Sequence, residues 1–109
     1  VAVLTPQSVV TTGTTPSAIT PTASDTIPGG TAGPNGWFLR VITTGTASNI
    51  TVLDPGFSSI SNPGTPTPLA APATGTRMVL IPRGAVNSSG VVTVTSSSQA
   101  GMTYELYTA

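Results

Sequence analysis

The chain has no cysteine and no histidine, and only 6% of its 109 residues are charged. Three arginines (Arg40, Arg77, Arg83) face two aspartates and one glutamate (Asp25, Asp54, Glu105), with no lysine, for a formal net charge of +0. Without thiol or imidazole there is no cysteine chemistry, no histidine base and no ordinary zinc, copper or haem ligand set. Without a basic patch there is nothing to neutralise a phosphate backbone, so nucleic acid is not an expected partner. No apolar run approaches the roughly 18 residues of a membrane span, so no membrane partner is expected either. The opening VAVLTPQSVV lacks the basic flank and long apolar stretch of an intact signal peptide. The missing cysteines exclude disulfides and leave the redox compartment open.

What is present points to strands. Thr and Ser make up about three residues in ten, beside 12 Gly and 11 Pro. Thr, Val and Ile favour the pleated backbone, whereas Gly and Pro break helices. The length suits one domain. Its texture divides in two. Residues 1–35 read as an extended Thr/Pro/Gly-rich arm, with strand character only at VAVL (1–4) and SVV (8–10). Residues 36–109 read as the folded body.

In the body, GWFLRVITTG (36–45) alternates Trp37, Leu39 and Val41 against Phe38, Arg40 and Ile42. Apolar residues on both faces suggest a central or doubly covered strand. SNITVLDPG (48–56) follows across Gly45-Thr46-Ala47, which reads as a hairpin link, and Asp54-Pro55-Gly56 as a turn. Residues 57–60 suggest a short strand and NPGTPTPLAAPATG (62–75) a long loop. GTRMVLIPRG (75–84), GVVTVTSSS (90–98) and MTYELYTA (102–109) complete the set. Strands at roughly 10–14-residue spacing without helical periodicity predict an all-β fold, an antiparallel β-sandwich or jelly-roll-like barrel carrying an extended N-terminal arm. The expected core is Trp37, Leu39, Val41, Ile50, Val52, Met78, Leu80, Val92, Val94, Tyr104 and Leu106.

No constellation suits catalysis. The three acids are scattered, whereas a glycosidase needs two opposed carboxylates. No serine has a conventional base to activate it. Asp54 reads as a turn former, and Glu105 as half of an ion pair with Arg40 or Arg77. The glycines at 29–30 and 33–36 match no phosphate loop. No catalytic, cofactor or metal residue is therefore expected, and the chain reads as a non-enzyme that binds a partner. The candidate contact residues are Val1, Val3, Leu4, Val9 and Val10 in the arm, Pro66, Pro68 and Leu69 in the long loop, and Arg77 and Arg83 flanking the later strand. An arm opening on VAVL offers backbone groups that can extend a neighbour's sheet, and Arg is favoured at interfaces.

The runs GWFLRVITTGTASNITVLDPG, GTRMVLIPRGAVNSSGVVTVTSS and GMTYELY resemble the small head decoration (capsid cement) proteins of tailed bacteriophages infecting actinobacteria. The resemblance covers about residues 23–109. It implies a β-sandwich or β-barrel on the outer surface of an icosahedral capsid, bridging subunits of the major capsid protein and stabilising the head. It also implies a homo-oligomer, such as a trimer-like cluster about a local three-fold axis, and no active site or cofactor. An alternative is a secreted bacterial carbohydrate-binding or adhesin module, which would use Trp37, Tyr104 or Tyr107 as a stacking platform.

Overall fold

The computed structural model describes residues 2–53, 68–87 and 89–109. Seven strands are formed: β1 (Ser24–Pro28), β2 (Trp37–Thr44), β3 (Ser48–Val52), β4 (Leu69–Ala71), β5 (Thr74–Ile81), β6 (Val91–Ser96) and β7 (Met102–Thr108). They make two antiparallel sheets, one in the order β1-β6-β3-β4 and the other β5-β2-β7. The fold is an all-β sandwich. Among the described residues no helix is long and apolar enough to cross a membrane.

Alternation selects which residues meet between the sheets. Trp37, Leu39 and Val41 of β2 and Tyr104 and Leu106 of β7 pack against Ile27 of β1, Val92 and Val94 of β6 and Ile50 of β3. Ile81 of β5 and Ala71 of β4 close one flank. Met78 and Leu80, expected in this core, lie on the outside of β5 instead. The segment has apolar residues on both parities, and Val79 and Ile81 take the inward one. That phase turns Arg77 to the inner side, yet the residue stays exposed. On an edge strand a long side chain can lay its stem on apolar surface and carry its charge out at the rim.

Residues 45–47 are not a hairpin link, because β2 and β3 belong to different sheets. The Gly45 N–H donates to the Ala73 carbonyl, and the chain crosses the sandwich there. Among the described strands, β3 and β4 are the consecutive pair that shares a sheet; each other step in sequence changes sheet. The expected long loop holds β4, which pairs with β3 through Ala71↔Ser48 and Leu69↔Ile50. The expected turn at 54–56 and strand at 57–60 lie outside the described residues.

The arm also differs from expectation. Residues 24–28 form β1, paired along its length with β6 from Ser24↔Thr95 to Pro28↔Val91. Ahead of it the chain straps one side of the sandwich. The Leu4 N–H donates to the Thr26 carbonyl (2.7 Å), and the Thr26 N–H donates to that of Ala2 (2.9 Å). Gln7 exchanges bonds with Leu106 and Thr108 of β7, and Ile19 with Tyr104. Residues 2–19 thus cover the outer edges of β1 and β7, one from each sheet, and Leu4 is fully buried between them. Unpaired edges invite aggregation, and here the chain covers two of its own.

Asp25 latches this side. Its buried carboxylate accepts from the N–H groups of Ala2 and Thr22, both at 3.0 Å, and from the Thr22 hydroxyl. Just before β2, Gly36 has φ +97°, and a Cβ there would lie 2.0 Å from the Ile81 carbonyl oxygen. Only glycine fits that entry to the central strand.

Candidate docking face

The outer side of β5-β2-β7 is a grid set by strand register. Phe38 lies between Leu80 and Tyr107, Arg40 between Met78 and Glu105, and Ile42 between Thr76 and Thr103. Side chains directly opposite on neighbouring strands stand about 4.5–5.5 Å apart at Cβ, so each row is continuous. Phe38, Met78 and Leu80 are 41%, 57% and 51% exposed. Single exposed apolar residues are ordinary, but these three on adjoining rows of one sheet make one contiguous apolar patch, a candidate interaction site.

The polar members of the grid are held rigidly. Arg40 Nη1 donates to Glu105 Oε1 at 3.0 Å. The Tyr107 hydroxyl donates to the same oxygen at 2.6 Å. Glu105 is only 7% exposed, so both bonds are made to a largely desolvated carboxylate. Donation to that carboxylate raises the Tyr107 pKa above the usual phenol range, because ionisation would break the bond and set two anions side by side. The arrangement restrains the Arg40 and Tyr107 side chains, and a pre-organised surface loses less entropy on binding than a mobile one. Phe, Tyr, Met and Arg are also the residues enriched at protein interfaces.

The residues expected to make contacts are not gathered into one site. Val1 and Pro66 lie outside the described residues. Val3 is exposed and bridges Thr26 on the β1 edge. Leu4 belongs to the chain's own core, so it is not free for a partner. Val9 and Val10 are exposed on the loop between the two strap contacts with β7. Pro68 is exposed and Leu69 half-buried at the start of β4. Arg77 and Arg83 are both exposed, one on the inner parity of β5 and the other just past its end. Six positions separate them, about 20 Å at strand spacing.

Sequence reasoning misses this apolar face because the β5 alternation reads equally well with Met78 and Leu80 inward. The signal that locates them is the Phe38/Arg40/Ile42 alternation on β2, once the pairing of β5 is known. Of the aromatics offered for sugar stacking, Trp37 and Tyr104 are fully buried. Trp37 Nε1 donates to Thr31 Oγ1 at 3.2 Å. Tyr104 has its hydroxyl in the interior, near Ser96 but without a completed hydrogen bond, and burial pushes its pKa up. Tyr107 alone of the three reaches the surface. No family model, curated protein or solved structure matches the chain.

Proposed function

We propose that the chain is a non-enzymatic structural protein of a tailed-phage virion, seated on the outer surface of the capsid and stabilising the head by bridging major capsid subunits. The observation that carries the reading is the outer face of β5-β2-β7, where Phe38, Met78 and Leu80 stand exposed around the locked Arg40–Glu105–Tyr107 group. Such a face binds by shape and apolar contact to a broad, flat surface. Many copies on a lattice repeat one modest contact, so a small patch suffices for each. The resemblance of residues 23–109 to head decoration proteins supplies the kind of lattice.

The test is composition. Purified virions should contain the chain at a stoichiometry near that of the major capsid protein, and capsids stripped of it should lose thermal or osmotic resistance. Absence from virions, with the chain recovered instead from host culture fluid, overturns the reading.

A further inference from the structure

Residues 8–18 are at odds with their own sequence. Val9-Val10-Thr11-Thr12 is a run of strand formers, yet the segment is a loop in which Val9 is 71% and Val10 51% exposed. The loop is closed by polar contacts near its surface. Gln7 Nε2 donates to the Thr15 carbonyl and Gln7 Oε1 accepts from the Ser17 N–H. Thr14 Oγ1 accepts from Val10 and donates to the Ser8 carbonyl. A tight turn brings the Gly13 N–H to the Val10 carbonyl at 3.0 Å, with Gly13 at φ +97°. Local preference and observed conformation disagree here, as they do at functional or strained sites.

We propose that this loop is a hinge, and that the strap, residues 2–7, exchanges between two copies of the chain. Opened and extended, its eleven residues reach about 36–40 Å, comparable with the 41 × 34 × 20 Å extents of the molecule. The released strap then docks on the β1 and β7 edges of the second copy. Every contact it makes at home is available there: Leu4 between the sheets, the paired bonds with Thr26, the Ala2 N–H on Asp25, and Gln7 on Leu106 and Thr108. The two hinges run side by side, and their Val9–Thr12 runs pair as an antiparallel ribbon that covers Val9 and Val10. Exchange of identical elements between protomers is a low-cost route to a dimer. The partner is a second copy of this chain, and the exchange does not depend on the capsid reading.

The absence of native cysteine gives a direct test. Val3 and Thr26 are bridge partners on the outer side of the strap and β1. A Val3→Cys chain and a Thr26→Cys chain, carrying tags of different mass, are unfolded, mixed, refolded at high concentration and oxidised. Exchange predicts a mixed disulfide dimer several-fold above that from Val3→Cys with an exposed Thr46→Cys control. Gly13→Val, which disfavours the closed turn, should raise the yield further. A mixed dimer no more abundant than the control, with a Val3→Cys/Thr26→Cys double variant closing only within single chains, overturns the proposal.

Discussion

Replacing Leu4 by Ala asks whether the N-terminal strap is structural. Leu4 is fully buried and packs into the same cluster as Trp37 and Leu106. Deleting a buried leucine to alanine typically costs about 2–5 kcal/mol, depending on how far the cavity collapses. Such a loss is a large share of the roughly 5–15 kcal/mol that stabilises a domain of this kind. At about 4 °C per kcal/mol it lowers the melting temperature by about 8–20 °C. Trp37 is the single tryptophan and is buried, so its fluorescence reports urea and heat unfolding. Val9→Ala is the control, because Val9 is exposed, and should stay within about 0.5 kcal/mol. A Leu4→Ala chain that unfolds at the same urea midpoint and with the same slope as the parent would refute the strap's place in the core.

Three further perturbations bear on the face and its hydrogen bonds. Leu80→Ser should leave stability within about 1 kcal/mol, since half of Leu80 is already in water, and weaken the proposed capsid binding about 5–30-fold as measured by co-sedimentation. Arg40→Ala should cost about 1–3 kcal/mol by leaving the buried Glu105 carboxylate without its cation, and Arg40→Ala/Glu105→Gln should cost less than the two single changes added; strict additivity in urea unfolding counts against the pair. Both tyrosines have raised pKa values, Tyr104 by burial and Tyr107 by donation to Glu105. Their folded forms hold the phenol proton more tightly, so that stabilisation is complete below the ordinary phenol range near pH ~10 and is lost as pH rises through the folded values. Phenolate absorbance should therefore appear at higher pH in the native protein than in urea, and coincident curves would contradict both assignments.

The sandwich was legible because β6 and β7 alternate with their larger apolar residues inward, and because the long apolar run of β2 reads as a central strand. β5 was not, because Met78 and Leu80 on one parity are matched by Val79 and Ile81 on the other, and the deciding information is its pairing with β2. The link at 45–47 looked like a hairpin because short loops between Val/Ile-rich runs commonly are. Nothing local in Gly45-Thr46-Ala47 reports that the next strand joins the opposite sheet. β4 is three residues inside a Pro/Ala-rich stretch, too short for periodicity to show. In the arm, proline spacing reads as extended chain, but where such a chain docks is decided by tertiary edges. Those edges lie on strands β1 and β7, far apart in sequence. The Arg40–Glu105 pair was among the alternatives because alternation put Glu105 outward, and register then chose Arg40 over Arg77.

Salt dependence separates two ways this surface can hold a partner. The chain has a formal net charge of +0, and the Arg40–Glu105 pair is neutralised within the chain. Docking through Phe38, Met78 and Leu80 removes apolar area from water, a driving force that added salt does not screen. Docking led by Arg77, Arg83 and an acidic partner would instead weaken steeply as the Debye length falls from about 10 Å at 0.1 M to about 3 Å at 1 M. Apolar docking predicts that occupancy on capsids changes less than about threefold in affinity across that range, and that Leu80→Ser is felt equally at both ends. Release of the chain by salt alone, with Leu80→Ser binding as well as the parent, would move the contact from the sheet face to the arginines at the β5 rim.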